Sequence, residues 1–365
     1  MKNTFGNDVS ITIFGESHGK AVGAVLDGLS AGIRIDENFI RHQMSLRMGG
    51  GELSTQRKEK DEAEIISGVF NGYTTGTPIC IVIKNESQNS LDYSENRYKA
   101  RPSHADYSAF CKYHGFEDYR GGGHFSGRLT AAVVAAGAIA ISALKCKGIK
   151  IGTHIAELAS VKDRNFTDYE KDISFLSSAV FPALESEKEA LMKAEIIKAK
   201  KDGDSVGGTL ETVITGLPAG VGEPFFDSVE SVLSHALFSM PAVKGIQFGK
   251  GFDLVTMRGS QANDEFVTDG EKITTRTNNN GGINGGITNG MPIIFKTVIK
   301  PTPSIYKTQN TVDLKTKRNT KITVTGRHDP AIIHRARVVQ DSLCALALCD
   351  LLTQRYGNDY FAEKI

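Results

Sequence analysis

The sequence predicts a protein of the α+β class, with strands and helices along the whole chain of 365 residues. Short segments rich in valine and isoleucine, such as 9–14 and 79–83, have the length and composition of strands. Longer apolar segments, such as 129–146, have the length of buried helices. The second half of the chain also repeats the element plan of the first.

The first half begins with two strands joined by a glycine-bracketed turn, GESHG at 15–19. After the second strand, Asp36 is placed to cap a helix that runs to about Leu46. The predicted strands of this half lie at 9–14, 21–29, 64–70 and 79–83, and 149–161 is predicted as a returning strand.

The stretch from Arg101 to Arg128 is poorly suited to a protein core, since it holds three histidines, three arginines and three consecutive glycines. Glycines 121–123 permit left-handed backbone angles and close approach to a ligand. The apolar run that follows is predicted as a buried helix. The loop would then lie at a helix N-terminus, where free N–H groups favour an anion. A tight turn before a core helix is the alternative interpretation.

Similar segments in the two halves lead us to interpret the chain as an internal duplication, with halves at about 9–150 and 204–355. Chance similarity between short strands rich in Gly and Pro is the alternative. The similar pairs are 206–221 with 22–33, and 289–300 with 75–84.

Three helices are predicted in the second part of the chain. A charged amphipathic helix at 185–201 is interpreted as a solvated face. Asp227 and Glu230 form a D-x-x-E pattern that predicts the N-cap of the next helix. A last apolar helix at about 331–354 takes the place that 129–146 has in the first half.

Composition excludes several classes of function. A formal net charge of +1 gives no bulk attraction to nucleic acid or to an anionic membrane. Five dispersed cysteines without a CxxC pattern favour a reducing compartment. We find no signal-peptide apolar region and expect no membrane-spanning run. The sequence therefore predicts a cytoplasmic protein.

Three groups are candidates for chemistry. His18 lies in the glycine-bracketed turn, where core packing has little use for an imidazole, although a lone histidine is more often structural. His104 has Asp106 close in sequence, a carboxylate that could fix its tautomer. Asp329, in GRHDP, either takes part in chemistry or caps the last helix. No spacing of Cys, His, Asp or Glu predicts a metal site.

Arginines recur beside the glycine-rich loops, and arginine is suited to bidentate capture of phosphate and carboxylate. KPTPS at 300–304 is a stiff loop whose polar side chains are held as donors. NNNGGINGGITNG at 278–290 has great backbone freedom instead. Together these features predict a small polyanionic ligand near the histidines. The arginines are at 41, 47, 57, 101, 120, 128, 327, 335 and 337.

Several motifs resemble those of the chorismate synthase family, in the same order and across essentially the whole chain. The resemblance implies one domain over 1–365, a β-α-β sandwich with helices packed between sheets, and a homotetramer. The internal duplication is compatible with that arrangement. The motifs are GESHGKAVGAVLDGLSAG, TTGTPI, RPSHADYSAFCKYHGFEDYRGGGHFSGR, KPTPS and GRHDPA.

The resemblance implies the last step of the shikimate pathway, an anti-1,4 elimination of phosphate from 5-enolpyruvylshikimate 3-phosphate that gives chorismate. Reduced FMN is the implied cofactor, without net redox change, and histidines would handle protons near it. NADPH could reduce the flavin on this protein, or a separate flavin reductase could provide FMN that is already reduced. We favour the separate reductase. A flavin-dependent reductase and an anion-binding homologue without turnover are the alternatives.

Motif position implies the roles of individual residues. His18 resembles the acid beside the departing phosphate, His104 the group that protonates reduced flavin, and Asp329 the group that helps take the ring proton. Substrate anions are implied to bind Arg47, Arg101, Arg128 and Arg327, with Arg57 nearby; Arg47 also aligns with an NADP contact. The implied flavin contacts are His124, Phe125, Ser126, Gly285, Lys300, Pro301, Thr302, Pro303, Ser304 and Arg327.

The chain departs from the family pattern at the centre of its longest motif. The usual GGGRSSARE is GGGHFSGRL here, so that His124 and Phe125 replace Arg and Ser, and Leu129 replaces Glu. In the segment after GRHDP, Asp341 stands for Glu and two prolines are missing. MPAV at 240–243 replaces the commoner Asn-Ala contact. We interpret these changes as subfamily variation.

Overall fold

The computed structural model describes residues 2–48, 53, 61–86, 96–324 and 328–362. Its strands, in chain order, are β1 (Thr4–Phe5), β2 (Ser10–Gly15), β3 (Ala21–Asp27), β4 (Ala63–Ser67), β5 (Val69–Phe70), β6 (Tyr73–Thr74), β7 (Ile79–Lys84), β8 (Lys150–Leu158), β9 (Val161–Lys162), β10 (Gly208–Thr215), β11 (Val243–Phe248), β12 (Phe266–Thr268), β13 (Ile273–Thr275), β14 (Ile283–Asn284), β15 (Ile287–Thr288), β16 (Ile293–Ile299), β17 (Gln309–Val312) and β18 (Asn319–Ile322). The α-helices are α1 (Glu37–Met48), α2 (Asp106–Tyr113), α3 (Thr130–Cys146), α4 (Tyr169–Ser178), α5 (Ser186–Lys201), α6 (Val229–Phe238), α7 (Gly259–Ala262) and α8 (Ile333–Tyr356).

Two five-stranded sheets enclose a helical layer. The first has the strand order β1-β2-β3-β7-β4 and the second β11-β16-β10-β8-β9, with every neighbouring pair antiparallel. Helix α3 packs on the first sheet and α8 on the second, and the two helices pack against each other. The predicted α+β sandwich, with helices between sheets, is therefore confirmed.

The buried helix α3 follows directly from the run of small apolar residues after the glycine loop. Except for Ile141 and Ser142, every residue from Ala131 to Leu144 is buried. By length and composition alone, Gly127–Cys146 would be apolar enough to cross a membrane, which the sequence interpretation did not expect. Most of this segment is buried against other elements of the fold, as in a core helix.

The two sheets share one connectivity. In the first half the order is β2–β3–α1–β4–β7–α3, and in the second it is β8–β10–α6–β11–β16–α8. The central strand, β3 or β10, lies between matching neighbours in both sheets. In this comparison β8 (Lys150–Leu158), which precedes residue 204, takes the place of β2. The division of the chain into duplicated halves stays a prediction.

Several local predictions can be compared with the structure. Asp36 caps α1 through its Oδ1, which accepts from the N–H of Phe39 at 3.0 Å. The predicted cap at Asp227 is wrong, because Ser228 accepts from the N–H of Ser231 at 3.1 Å and begins α6. Neither α2 nor α4 was anticipated from the sequence.

Helix α8 carries buried polar side chains that its sequence counterpart α3 lacks. Gln340 donates to Thr212 and accepts from Thr297, both at 2.6 Å, and Asp341 accepts from Thr153 at 2.5 Å. Burial raises the pKa of Asp341 to about 6. These bonds attach the helix to the second sheet through a polar layer.

Near its end, α8 also binds the start of the chain. The buried Asp350 carboxylate accepts three backbone N–H groups, from Asn7 (3.0 and 3.1 Å), Asp8 (2.8 Å) and Val9 (3.0 Å). These residues lead into β2 of the first sheet. One carboxylate thus connects the last helix to the first sheet.

Candidate functional site

The glycine loop between α2 and α3 brings the two predicted catalytic histidines together. Gly121, Gly122 and Gly123 have φ values of 60°, 93° and 53°, which side chains other than glycine rarely adopt. A Cβ on Gly121 would lie 2.2 Å from Cε1 of His18, and one on Gly122 would lie 3.2 Å from Cε1 of His104. Adjacent glycines therefore pack against the two imidazoles, and neither position leaves room for a side chain.

His18 is buried at the end of the turn after β2, with 5% of its surface exposed. Its Nδ1 lies 3.1 Å from the hydroxyl of Ser17, which donates to the carbonyl of Arg120 at 3.1 Å. Because that hydroxyl has one proton, the bond to Arg120 leaves it as the acceptor for His18. A neutral His18 is then protonated at Nδ1, and Nε2 is the nitrogen that can gain or release a proton.

His104 is oriented by a carboxylate at the start of α2. Its Nδ1 lies 2.7 Å from Oδ1 of Asp106, and Asp106 also accepts two bonds from the Arg101 guanidinium at 2.7 and 2.8 Å. Burial opposes ionisation of Asp106, but hydrogen bonds from Arg101 and His104 outweigh it and hold its pKa well below its usual value. The ionised carboxylate keeps a proton on Nδ1 of His104, as the sequence suggested.

A solvent-open cleft lies beside His104 and Gly122. Aromatic and aliphatic side chains form much of its wall, and Arg97 and Lys99 add positive charge. Arg97 also stacks over the ring of Tyr119, with 4.8 Å from its guanidinium carbon to the ring centroid. The cleft thus combines apolar walls with charged side chains of both signs, since Asp106, Glu117 and Asp118 also line it. Its apolar lining includes Tyr119, Phe125, Leu314, Ile322 and Val324.

A second polar centre lies behind the glycine loop, where two arginines share one carboxylate. The side chain of Asp61 is fully buried and forms ion pairs with Arg47 and Arg128. Arg128 also donates to Asn85 Oδ1 at 2.8 Å and to the carbonyl of Lys84 at 3.2 Å. Both arginines were predicted to bind substrate anions, and the structure brings them together.

Asp329 pairs with Arg335 on the first turn of α8. The helix begins after Ile332 without a side-chain cap, so the alternative that Asp329 caps it is wrong. Arg335 also donates to the carbonyl of Met48, next to Arg47 at the end of α1, at 3.4 Å. Electrostatic repulsion from Arg335 contributes to the lowered pKa of Arg47, although burial contributes more. Asp329 and Arg335 therefore lie next to the polar centre formed by Asp61, Arg47 and Arg128.

The flavin contacts implied on the glycine loop have different environments. His124 turns away from the cleft, with Nδ1 2.8 Å from the carbonyl of Gly15. Phe125 lines the cleft and packs on Tyr113, with ring centroids 6.1 Å apart. Ser126 accepts from the N–H of Arg128 at 3.3 Å and begins the turn before α3. Of the three, Phe125 is the one in the cleft wall.

The KPTPS loop approaches the same region from the second half of the chain. Lys300 Nζ donates to the carbonyl of Ser103 at 2.6 Å, one residue before His104. Burial, with repulsion from Lys244, lowers the pKa of Lys300. The carbonyl of Thr302 accepts from Ser205 at 2.7 Å, and Ser304 is buried. Pro301 and Pro303 hold the intervening backbone.

Gly285 lies apart from these residues, in the turn between β14 and β15. Its neighbour Gly286 accepts from the N–H of Val229 at the start of α6. Among the described residues, no hydrogen bond joins Gly285 to the cleft. Arg57 and Arg327 lie outside the residues that the structure describes. In the same described part of the chain, no three His, Cys, Asp or Glu side chains are grouped to hold a metal ion.

Sequence reasoning did not identify Asp61 and Asn85, and it counted Arg335 only among the recurring arginines, without pairing it with Asp329. Asn85 Nδ2 donates to the carbonyls of Glu16 and Gly19, at 3.0 and 2.9 Å, and thereby joins the His18 turn to Arg128. Asp61 and Asn85 lie in polar segments without a local pattern. Arg335 follows Asp329 by six residues. The closeness of the GRHDP motif to the predicted last helix was the one sequence signal that could have paired them.

Comparisons with known proteins agree with this architecture. A family profile described as chorismate synthase matches residues 9–353. A chorismate synthase of Thermococcus gammatolerans is 45% identical over 350 residues, which cover 96% of this chain and 97% of that protein. One of Dehalococcoides mccartyi is 45% identical over 354 residues, covering 96% of each. A crystal structure of a chorismate synthase matches with a TM-score of 0.77 at 29% identity, covering 97% of this chain and 94% of that one.

The sandwich and the full-length matches define the class of protein, a lyase of aromatic biosynthesis. Within that class, the chain belongs to the chorismate synthase family.

Proposed function

We propose that this protein eliminates phosphate from 5-enolpyruvylshikimate 3-phosphate to give chorismate, with reduced FMN as cofactor and without net redox change. The observation that carries the proposal is the pair of imidazoles, His18 and His104, held on adjacent glycines beside an open cleft. The substrate carries one phosphate and two carboxylates, so it suits a site surrounded by arginines.

The cleft beside His104 has the features that a flavin mononucleotide requires. A planar ring needs apolar or aromatic walls, which Phe125, Tyr119 and Val324 supply. Its phosphate needs cations, and Arg97 and Lys99 lie in the same cleft. These residues fit the group. The chemistry that reduced FMN would supply when bound is transient electron density for the substrate as phosphate leaves.

We assign the proton chemistry to three side chains. His18 protonates the departing phosphate from Nε2, since its Nδ1 bonds to Ser17. His104 moves a proton at Nε2, because Asp106 holds Nδ1. Asp329 helps to take the ring proton, and its ion pair with Arg335 fixes the direction of its carboxylate. The reaction then balances: a C–O bond and a ring C–H bond break, the ring gains a second C=C double bond, and phosphate and a proton leave.

Substrate anions are assigned to Arg47, Arg128 and Arg327. Arg101 was assigned with them, but its guanidinium is occupied by Asp106 on two nitrogens. This geometry favours a role for Arg101 in orienting His104. Arg47 was also matched to an NADP contact; its burial beside Asp61 favours the substrate assignment. Ser126, His124, Gly285, Lys300 to Ser304 and Arg327 remain the other flavin assignments.

We further assign the protein to the cytoplasm, as a homotetramer that receives reduced FMN from a separate reductase. Large apolar side chains that the single chain leaves exposed support self-association. They include Phe225, Phe226, Phe252 and Val255, each at least 80% exposed. Sedimentation of the purified protein tests the tetramer, and a monomer at micromolar concentration would contradict it.

The test of function is anaerobic turnover of 5-enolpyruvylshikimate 3-phosphate with reduced FMN. We expect phosphate and chorismate to form together while the flavin stays reduced. Stoichiometric flavin oxidation would instead indicate a reductase, and binding without phosphate release would indicate a non-catalytic homologue. Aerobic turnover with NADPH and oxidised FMN then shows whether the protein reduces its own flavin; we expect little.

A further inference from the structure

We propose that Asp61, to which no sequence motif assigned a role, is the positioning residue that holds Arg47 and Arg128 together as an anion-binding pair. The inference depends on the proposed function only where it names the anion as a phosphate or carboxylate of the substrate.

Asp61 is the shared counter-ion of two arginines from separate parts of the fold. Arg47 ends α1, and Arg128 lies in the turn before α3. Each oxygen of the fully buried Asp61 carboxylate accepts from one of them. Two guanidinium groups this close repel each other, and the repulsion is strong where water is excluded. The carboxylate therefore fixes the distance and direction between them.

The backbone at Asp61 indicates that the carboxylate is held there against a conformational cost. Its φ is +48°, in the left-handed region that Asp and Asn tolerate better than most residues. Such conformations persist where surrounding contacts determine them, and they are frequent at functional sites. Here the two ion pairs supply those contacts.

The centre around Asp61 keeps hydrogen-bond donors that its own carboxylate does not use. The described ion pairs join Arg47 and Arg128 to Asp61, and Arg335 to Asp329. Burial opposes ionisation of Asp61, but Arg47 and Arg128 outweigh it and lower its pKa. Within the described chain, the buried Nε atoms of Arg47 and Arg335 have no hydrogen-bond partner. These two N–H groups are donors that the ion pairs with Asp61 and Asp329 leave unused.

Substitution of Asp61 distinguishes two roles that predict opposite signs. If Asp61 positions the arginines, Asp61→Asn separates them and weakens anion binding. If Asp61 merely occupies the anion's place, Asp61→Asn adds positive charge and strengthens binding. The geometry favours positioning, because unused donors exist beside the ion pairs.

The experiment compares Asp61→Asn and Asp61→Gly with a matched control, Asp172→Asn. Asp172 in α4 is also buried and paired with an arginine, Arg164, but it lies on the outer side of the second sheet. For each protein we would measure KM, kcat and the rise in melting temperature with inorganic phosphate. We expect KM to rise about ten- to hundred-fold in Asp61→Asn, with a smaller change in kcat.

Chemical rescue makes the test specific. Glycine accepts the φ of residue 61 and leaves a space the size of a carboxylate, so formate should restore phosphate protection in Asp61→Gly and not in Asp172→Asn. Unchanged or tighter phosphate binding in Asp61→Asn overturns the proposal, as does the absence of formate rescue in a folded Asp61→Gly. If the wild-type protein lacks turnover but Asp61→Asn loses phosphate protection, the proposed function fails and the role of Asp61 stands.

Discussion

The centres around Asp106 and Asp61 use the same ingredients for different ends. At the open cleft, Asp106 holds one arginine and one histidine, and its side chain is 23% exposed. Behind the glycine loop, Asp61 holds two arginines and is fully enclosed. A carboxylate bonded to an imidazole determines which ring nitrogen carries the proton. A carboxylate between two guanidinium groups determines the positions of those two positive charges. The first centre should therefore control kcat and the second KM.

The largest effect is expected at His104. His104→Ala removes a proton-handling group, and kcat should fall about 10²- to 10⁴-fold with KM nearly unchanged. Steady-state phosphate release with reduced FMN under anaerobic conditions measures this change. The matched control is His114→Asn. His114 is an exposed histidine at the end of α2, so this variant should retain activity. A His104→Ala variant with the kcat of the wild type would contradict the claim that the centre around Asp106 controls kcat.

Asp106→Asn should give an intermediate effect, again on kcat. The amide can present its NH₂ group to Nδ1 of His104 and favour the wrong tautomer, so we expect a loss of about ten- to hundred-fold. The low pKa of Asp106 keeps this carboxylate ionised in the native protein. Its stabilising contribution is present above the usual aspartate pKa of about 4 and is lost only in stronger acid. Asp106 itself therefore does not titrate between pH 6 and 8. A rise in KM without a fall in kcat would contradict the separate roles of the two centres.

The last prediction concerns Asp341, a buried carboxylate that has no guanidinium or imidazole at hydrogen-bond distance. Its expected effect is on stability and not on activity. Arg337 lies 3.7 Å from Asp341, and burial raises the pKa of Asp341 from 3.8 to about 6. A raised acid pKa contributes stability below about pH 4 that is lost as pH rises through 6, at most about 3 kcal/mol. The melting temperature of Asp341→Asn minus that of wild type should therefore become more positive between pH 4 and pH 7.5. A constant difference would contradict this assignment.

The sequence was most informative where a local pattern determined local structure. The run after Arg128 predicted α3, and Asp36 predicted the start of α1, because apolar periodicity and capping act over a few residues. The cap at Asp227 was wrong since Ser228, one residue on, supplies the oxygen that α6 uses. Such one-residue choices depend on how the loop packs, which the pattern does not contain.

The candidate site was predictable in its members but not in its pairings. Motif positions selected His18, His104, Arg47 and Arg128. The pairing of His104 with Asp106 followed from their closeness in sequence, whereas the partners of Arg128 come from distant segments. Asp61 is 67 residues from Arg128, and Asn85 is 43 residues from it. No periodicity joins residues at such separations. Only the fold shows that the Arg101 guanidinium donates two hydrogen bonds to the Asp106 carboxylate.

The bond network of Asp350 has a consequence for the order in which the molecule assembles. The carboxylate on the last helix accepts the N–H groups that lead into β2, across 341 to 343 residues of chain. During synthesis, these N–H groups, which lie between β1 and β2, emerge long before the helix that carries their acceptor. Closing so long a loop carries an entropy loss and slows folding. The turn therefore lacks these bonds until almost the entire polypeptide has left the ribosome, and a chain cut short before α8 would leave its N–H groups without the Asp350 carboxylate.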